Sequence, residues 1–294
     1  MDESEVAGLI IDMHVSPAFI DELHQSETQL QTCRRLTGLY ETDTQPVSFM
    51  KTMCKVSDIE MLCLLPLDLT TTHNAYLGTN EQVAQLVQKD SDLFIGFASV
   101  DPHRSDAVDV VRHAFLNLHL SGLVLHPSQQ RFYPNEELCG ALYEVCEEFN
   151  KPIIFHAGMS ARPNTLSKYA HPLLFEEVAC AYPHLRICLS GFAWPWVREV
   201  CMLMLKYKNV YTDTALLYFD NPKEFYHQSF CIDIGAHWID RSLRHQIMFG
   251  SDEPRLEQRR MIEAIYNMDW RERTKQMIFR ENALDFLNGG GFYD

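Results

Sequence analysis

The sequence predicts a single-domain α/β protein, a (β/α)8 (TIM) barrel, from its length, its alternating segments and the lack of a linker. The chain has 294 residues, slightly more than the roughly 250 that such a barrel usually needs. Eight short apolar runs alternate with longer amphipathic stretches, which is the order that builds a parallel sheet covered by helices. No Pro/Gly/Ser-rich linker or charge block interrupts residues 1–294, so we predict one domain.

The eight apolar runs are brief, rich in β-branched or aromatic residues and apolar on both faces, as buried parallel strands are. They are Gly8–Met13, Ile59–Leu65, Leu93–Val100, Gly122–Leu125, Pro152–Phe155, Arg186–Leu189, Val210–Thr212 and Gln246–Phe249. An open, doubly wound sheet is the alternative architecture. No GxGxxG motif opens a helix to support the dinucleotide site of such a sheet.

Six amphipathic helices are predicted between the runs. They are Glu81–Lys89, Arg104–Asn117, Glu136–Asn150, Leu173–Ala181, Trp196–Lys206 and Arg255–Tyr266. We expect Asn135 to cap the third of these helices, since an asparagine side chain can accept a hydrogen bond from a free backbone N–H group of the first turn. Residues 17–56 form a longer connection than one crossover needs. They are either a peripheral helix pair or a lid over the site.

Composition excludes several classes of partner. The 25 basic and 40 acidic residues give a net charge of −15, which argues against nucleic acid and against an anionic membrane surface. We therefore expect a small-molecule substrate, and an anionic one needs a local arginine or a metal ion to overcome this field. A two-fold homodimer is the default expectation for a soluble enzyme.

The cysteines and the chain's first residues predict the compartment. The nine cysteines are scattered, with no CxxC pair, and are expected to be reduced. The first residues are acidic and no signal peptide is recognisable. No apolar segment approaches the roughly 18 residues of a membrane span. We expect a cytoplasmic protein.

Polar side chains follow several of the predicted strands, where a barrel carries its catalytic groups. The first run ends with Asp12, His14 and Ser16, and residues two apart on a strand share a face. We therefore expect all three to point into the barrel mouth. Three more polar residues follow the fourth, fifth and eighth runs: His126, His156 and Asp252. Two histidines and a carboxylate suit zinc, manganese or iron, while each histidine alone could be a hydrogen-bonded core residue.

The motifs around these residues resemble the amidohydrolase superfamily, in the branch of aminocarboxymuconate-semialdehyde decarboxylase and resorcylate decarboxylase. The resemblance runs from Gly8 to Leu287 and is carried by Ile-Asp-Met-His14, Leu-His126-Pro, Ile-Phe-His156-Ala-Gly, Phe-Gly-Ser-Asp252 and Glu-Asn-Ala-Leu284. It implies a metal-dependent hydrolase or carbon–carbon lyase (decarboxylase) that acts on a small carboxylate-bearing compound. It also implies one divalent ion as cofactor, with zinc first and manganese or iron as alternatives.

The resemblance implies that His156, Asp252 and a pair of residues on the first strand hold the metal. The pair aligns either on Asp12 and His14 or on His14 and Ser16. We favour Asp12 and His14 because Ser16 would leave one ligand missing. The alternative is that Asp12 is a structural carboxylate that orients the metal-binding groups.

The sequence departs from the family's pattern after the sixth strand, where Gly191 stands in place of a histidine. A glycine cannot transfer a proton, and general acid–base catalysis is typically worth about 10²–10⁴-fold in rate. We expect Asp252 to move the proton and His126 to cover part of the missing role. Arg162 is expected to grip a substrate carboxylate, unless it forms a surface ion pair.

Two alternatives to a metal-dependent enzyme follow from this departure. The first is a metal-free, lactonase-like hydrolase of the same family. The second is a catalytically silent barrel that serves as a binding or assembly protein. Bound metal would favour the enzyme, and an Asp12 engaged in a backbone hydrogen-bond network would favour the silent barrel.

Overall fold

The computed structural model describes residues 9–24, 26–162, 164–215 and 221–289. Gly8, the first residue of the first predicted strand, lies outside them. Each predicted apolar run contains a strand: β1 Ile10–Val15, β2 Ile59–Leu64, β3 in two parts (Phe94–Gly96 and Ala98–Ser99), β4 Leu123–Leu125, β5 Ile153–Phe155, β6 Ile187–Leu189, β7 Val210–Asp213 and β8 Ile247–Met248.

The strands are parallel and form a closed barrel. β1 pairs with β2, and β2 with the first part of β3. The second part of β3 begins a continuous sheet that runs in chain order to β8. β8 returns to β1 through backbone bonds from Met13 N to Phe249 O (2.9 Å) and from Ser16 N to Glu253 O (2.8 Å). The predicted (β/α)8 barrel is confirmed.

Helices surround the barrel and include all six that the sequence predicts. Their bounds are α1 Glu27–Thr37, α2 Val47–Val56, α3 Thr70–His73, α4 Asn80–Lys89, α5 Ala107–Leu116, α6 Pro127–Gln130, α7 Glu137–Glu148, α8 Leu174–Ala181, α9 Val197–Lys206, α10 Pro222–Tyr226, α11 Gln258–Tyr266, α12 Glu272–Gln276 and α13 Asn282–Asn288. Wider π-helical turns cover His227–Asp233, Ile239–Leu243 and Met277–Glu281. Short 3-10 turns cover Pro17–Phe19, Asp21–Leu23, Ser167–Ala170 and Ser190–Ala193, and Leu67–Leu69 pairs antiparallel with Ala75–Leu77.

The predicted cap at Asn135 is wrong. The residue that precedes α7 is Glu136, and its side chain caps no backbone N–H group. The Asn135 amide instead donates to Glu177 Oε2 at 3.1 Å, so its side chain links α7 to α8 across the barrel surface.

Two apolar layers position the site. One lies between the strands and the helices. The other fills the barrel interior with side chains from every strand and extends to Ala283 and Phe286 of α13. A fully buried side chain of this kind contributes about 1.5–3 kcal/mol. Because α13 packs against this interior core, the open end of the barrel is the opposite one, where the strands end.

Residues 17–56 form a helix pair, α1 and α2. α1 packs through Leu30, Cys33 and Leu36 into a small core of its own beside the antiparallel pair. Its last turn reaches the barrel mouth, where Thr37 O accepts a hydrogen bond from Arg255 Nη2 at 2.7 Å. The segment is therefore a peripheral helix pair with one end in the wall of the site.

The structure also describes the state of the cysteines and the character of the helices. All nine cysteines are free thiols. Among the described residues, no helix has the length and apolar character needed to cross a membrane.

Candidate active site

A cavity of about 110 Å³ opens at the carboxyl ends of the strands. Its polar wall consists of His14, Ser16, Thr37, His126, His156, Ser160, Arg162, Ser190, Asp252 and Arg255, and its apolar wall includes Leu39, Leu67 and Trp194. A second cavity, of about 320 Å³, lies beside α1 and has no charged side chain in its wall. The first cavity is the candidate active site because it gathers three histidines, a carboxylate and two guanidinium groups at the strand ends.

His14 stands at the end of β1 with its two ring nitrogens in different surroundings. Nδ1 lies 3.2 Å from Asp213 Oδ2 and 2.9 Å from Ser190 Oγ. Nε2 lies 3.8 Å from Asp252 Oδ1. Burial disfavours a charged imidazole, but the carboxylates of Asp213 and Asp252 outweigh it and raise the pKa of His14. A proton on Nδ1 is held by Asp213, so the lone pair of Nε2 is directed towards Asp252.

Asp213 ends β7 and is completely buried. Its Oδ1 accepts hydrogen bonds from Gly191 N (2.7 Å), Ala215 N (3.0 Å) and Ser190 Oγ (3.1 Å). Burial opposes its charge, but His14 and the backbone donors outweigh burial and lower the pKa of Asp213. Asp213 is not among the sequence-predicted site residues, although its place directly after the seventh run marks it as a strand-end carboxylate.

Gly250 permits the close approach of His14 and Asp213. A Cβ atom at Gly250 would lie 2.9 Å from His14 Cβ and 3.2 Å from Asp213 Cβ. Contacts this short force one side chain or the other to move. The glycine after β8 therefore allows His14 and Asp213 to lie close enough together for their side chains to interact.

The expectation that Asp12 faces the barrel mouth is wrong. Pairing between β1 and β2 shifts register between Asp12 and Val15, so the alternation of sides is broken before His14. Asp12 Oδ1 accepts from His14 N (3.1 Å) and Ser251 N (2.9 Å), and Oδ2 accepts from Ser251 Oγ (2.5 Å) and Gln258 Nε2 (2.7 Å). Despite these bonds, burial raises the pKa of Asp12 to about 6. Four protein donors leave its oxygens little capacity to bind a metal, and its contacts are those of a structural carboxylate.

The imidazole rings of His126 and His156 lie together, beside the ring of His14. Their rings stack with centroids 4.6 Å apart, and the His156 ring meets His14 edge-on at 4.8 Å. Burial and the nearby cations lower the pKa of both imidazoles well below the usual value, so both are neutral at pH 7. Nδ1 of His126 is buried without a hydrogen-bond partner among the described residues.

Asp252 is held in an unusual backbone conformation. Its φ is 62°, a left-handed value that costs a residue with a Cβ atom about 1–3 kcal/mol. Backbone bonds from Asp252 N to His14 O (2.9 Å) and from Arg255 N to Asp252 O (2.7 Å) maintain it. Burial raises the pKa of Asp252, and His14 and Arg255 oppose this rise only in part. The raised pKa means that Asp252 holds a proton more readily than an ordinary aspartate does.

Two arginines complete the polar wall. Arg255 Nε lies 3.1 Å from Asp252 Oδ2. Arg162 donates to Gln129 Oε1, and burial together with Arg255 lowers the pKa of Arg162 to about 9. Arg162 is therefore a cationic wall residue at pH 7 and is not part of a surface ion pair. Arg255 is not among the sequence-predicted site residues, and its position three residues after Asp252 is the signal that points to it.

The backbone conformation at the end of β6 explains why a glycine stands at position 191. Its φ is 61°, and Phe192 and Ala193 follow with φ of 50° and 44°. A histidine in this left-handed conformation would be strained by roughly 1–2 kcal/mol. In place of an imidazole, this strand end supplies the Gly191 N–H and the Ser190 hydroxyl to Asp213.

The fit of a divalent ion depends on the types and the spacing of the donor atoms. Within the described residues, no three or more His, Cys, Asp or Glu side chains stand close enough together to hold a metal ion as they are placed. The donor types of His14, His156 and Asp252 nevertheless suit zinc. Two imidazoles bound to one zinc ion through bonds of about 2.1 Å would have centroids roughly 5 Å apart, and those of His14 and His156 are 4.8 Å apart. The donors fit in type and ring spacing, although the group is not closed.

Comparison with known proteins identifies the family. Residues 57–289 match the family model described as amidohydrolase. The chain belongs to the amidohydrolase family. No curated protein matches the chain, so the amidohydrolase assignment rests on the family model.

Three solved structures illustrate the similarity of fold. An uncharacterised TIM-barrel protein from Bordetella bronchiseptica has a TM-score of 0.75 and 18% identity, covering 95% of this amidohydrolase and 98% of that chain. The 5-carboxyvanillate decarboxylase of Sphingomonas paucimobilis has a TM-score of 0.66 and 13% identity, over 95% and 98%. The 2,6-dihydroxybenzoate decarboxylase of Rhizobium has a TM-score of 0.65 and 13% identity, over 95% and 98%. Identities this low show a common fold.

Proposed function

We propose that this amidohydrolase is a hydrolase or carbon–carbon lyase (decarboxylase) that acts on a small carboxylate-bearing compound. His14, His156 and Asp252 would hold one divalent metal ion, with zinc first and manganese or iron as alternatives. The observation that carries the proposal is the orientation of His14. Asp213 holds its Nδ1, and its Nε2 lies 3.8 Å from Asp252 Oδ1 inside a cavity that two arginines line. The two decarboxylases of the same fold act on aromatic carboxylates, as their names state.

A bound ion would supply Lewis acidity towards a substrate oxygen. The other steps fall to the chain's own residues. Arg162 binds the substrate carboxylate, since a guanidinium and a carboxylate make two parallel hydrogen bonds. Neutral His126 hydrogen-bonds a substrate oxygen through its unpaired Nδ1. Trp194 and the leucines of the apolar wall exclude water from the reacting atoms.

Asp252 moves the proton in either reaction. In a decarboxylation, the bond between the carboxylate and the adjacent carbon breaks and carbon dioxide leaves. Protonated Asp252 then gives its proton to that carbon. In a hydrolysis, Asp252 accepts a proton from water as the water oxygen bonds to the substrate's acyl carbon. It returns that proton to the leaving group as the bond between that carbon and the leaving group breaks. In both reactions one positioned carboxyl group gives and takes the proton.

A metal-free hydrolase is the second candidate, because the ligand group is not closed and Asp12 is engaged by four protein donors. In that enzyme, Arg162, Arg255 and protonated His14 would stabilise the developing negative charge. The engagement of Asp12 also favours a catalytically silent barrel, which would bind ligands without converting them. The metal content and the turnover of the protein separate these candidates.

The first experiment measures metal by mass spectrometry in protein purified without a histidine tag or chelator. We expect about one equivalent of zinc, manganese or iron in the parent protein and its loss in His156→Ala. The matched control is His184→Ala, which changes an exposed histidine and should retain the metal. Substituted benzoates and small lactones are then screened for turnover.

Each result selects one account. No metal in the parent protein, even after incubation with each ion, would contradict the metal-dependent enzyme. Turnover without metal would then establish the metal-free hydrolase. The absence of both metal and turnover would leave the silent barrel.

A further inference from the structure

Arg162 reaches the cavity wall from the loop that follows β5, and the short helix α6 holds it there. The side-chain oxygen of Gln129, in α6, accepts a hydrogen bond from Arg162 Nη1. Ser128 Oγ, one residue earlier, donates to Leu166 O of the same loop at 3.1 Å. Within the loop, Thr165 Oγ1 donates to Arg162 O at 2.7 Å. The loop is therefore bound to α6 at two points, and one of them is the guanidinium itself.

α6 gives Gln129 a fixed position. Gln129 is 2% exposed. The next residue, Gln130, binds the helix to the ends of two strands: its Nε2 donates to Val100 O after β3 (2.9 Å), and its Oε1 accepts from His126 N after β4 (2.7 Å). A buried side chain on a helix held in this way offers Arg162 an acceptor whose place does not vary.

The partner of Arg162 is uncharged, unlike the partner of the other arginine in the cavity wall. Arg255 Nε lies 3.1 Å from Asp252 Oδ2, so its charge already has a carboxylate beside it. Across the described ranges, no carboxylate lies within 4 Å of a guanidinium nitrogen of Arg162. The amide oxygen of a glutamine accepts a hydrogen bond but carries no net charge. Arg162 therefore keeps its positive charge unbalanced at the cavity.

The amide nitrogen of Gln129 adds an independent observation. A guanidinium has only donors, so it must meet the oxygen of Gln129, and Nε2 points elsewhere. Nε2 is buried and has no hydrogen-bond partner among the described residues. A buried donor without an acceptor lowers stability. A glutamate here would pair with Arg162 through its oxygens and leave no N–H group unpaired. Stability alone therefore does not explain an uncharged acceptor beside Arg162.

We propose that Gln129 is a positioning residue that fixes the Arg162 guanidinium without neutralising it, so that the charge of Arg162 selects an anionic substrate. The inference rests on the proposed function, in which Arg162 binds the substrate carboxylate. It adds the residue that sets both the direction and the available charge of that arginine. Gln129 acts through Arg162, since the cavity wall includes Arg162 and not Gln129.

The test compares benzoate with benzamide, an uncharged analogue of nearly the same shape, by calorimetry on metal-stripped and on zinc-treated protein. Gln129→Glu keeps the acceptor and adds a negative charge next to Arg162. We expect it to weaken benzoate binding about thirtyfold or more, because like charges then oppose each other. Benzamide binding should change by less than twofold. A defect of packing would weaken both ligands alike.

Gln129→Met separates the charge from the hydrogen bond. Methionine has a similar length but no strong acceptor, so Arg162 loses its fixed direction and keeps its full charge. We expect benzoate to bind about fivefold more weakly, a smaller loss than in Gln129→Glu. If Gln129 served the fold alone, the order would be reversed, because Gln129→Glu retains the hydrogen bond.

A matched control and a check of folding accompany these variants. Gln88→Glu adds the same charge to the exposed face of α4 and should change neither affinity by more than twofold. Circular dichroism verifies that each variant folds. If Gln129→Glu does not fold, Gln129→Met decides: a loss of affinity for benzoate but not for benzamide supports the inference, and no loss overturns it.

Failure of the inference is distinguishable from failure of the proposed function. Binding is measured without turnover, so a benzoate loss that is larger in Gln129→Glu than in Gln129→Met supports the inference even if no metal binds and no reaction occurs. An unchanged benzoate affinity in Gln129→Glu, equal losses for benzoate and benzamide, a larger loss in Gln129→Met, or no benzoate binding by the parent protein would each overturn it. Metal content and turnover of the parent protein decide the proposed function separately.

Discussion

Replacing Asp213 by asparagine tests the role of His14 with the smallest change of shape. Oδ1 of Asp213 accepts from Gly191 N, Ala215 N and Ser190 Oγ, and an amide oxygen in that place can keep all three bonds. The amide nitrogen must then take the place of Oδ2, 3.2 Å from His14 Nδ1. Because an amide N–H donates, Nδ1 becomes the acceptor, and the ring proton moves to Nε2.

The structure sets the size of the effect. One hydrogen bond between His14 and a charged acceptor is lost, which costs about 1.5–3 kcal/mol. Since 1.4 kcal/mol is a factor of about ten in an equilibrium constant, zinc should bind roughly 10–100-fold more weakly. The pKa of His14 should fall, since the carboxylate that most raises it is gone. Catalysis should fall by at least the same factor.

The assays need no substrate. Zinc affinity is measured by competition with a chelator, and the tautomer and pKa of His14 by nitrogen NMR of labelled histidine. Asp285→Asn is the control, since Asp285 accepts a hydrogen bond from Tyr211 at the opposite end of the barrel. Unchanged zinc affinity with an Nδ1 proton still on His14 in Asp213→Asn would refute this reasoning.

Two further predictions concern other residues. Gly250→Ala should reduce zinc affinity and activity tenfold or more, because the new methyl group would lie 2.9 Å from His14 Cβ; unchanged affinity would count against a tightly packed site. Asp240, which accepts from Arg271 Nε (2.8 Å) and Thr274 Oγ1 (2.6 Å), has a lowered pKa because these donors outweigh burial. The Asp240 carboxylate therefore stabilises the fold at pH values above about 4, which is the pKa of an aspartate in the unfolded chain. This stabilisation is lost as the pH falls through the lower pKa that Asp240 has in the folded protein. In urea denaturation, Asp240→Asn should be about 1.5–3 kcal/mol less stable at pH 7, with a smaller difference at pH 3; a difference independent of pH would contradict this.

The barrel could be predicted because buried parallel strands leave a local signal. Each strand is a short run that is apolar on both faces, and all eight runs contain a strand of the barrel. His14, His156 and Asp252 could be placed at one cavity for the same reason, since parallel strands end at one edge. Such inferences need only the order of segments along the chain.

Asp12 was misplaced because its position depends on pairing that the sequence does not display. The rule that residues two apart share a face holds for a regular strand, and the register shift after Asp12 breaks that regularity. The irregularity turns Asp12 towards Ser251 and Gln258, which are more than two hundred residues away in sequence.

The arginines and Asp213 required the tertiary structure for a related reason. Arg255 and Arg162 acquire their setting from each other and from Asp252, across separate loops. Asp213 gains its role through Gly191 and Ser190 at the end of the preceding strand. The glycine that the sequence presents as a lost histidine is, in the fold, a donor to the carboxylate that holds His14.

The most direct test of the proposed site is anomalous X-ray diffraction at the zinc edge from crystals grown with zinc. The account predicts one strong peak in the cavity, within about 2.0–2.2 Å of His14 Nε2, a ring nitrogen of His156 and a carboxylate oxygen of Asp252. A cavity without a peak, or a zinc ion bound by other residues, would contradict it.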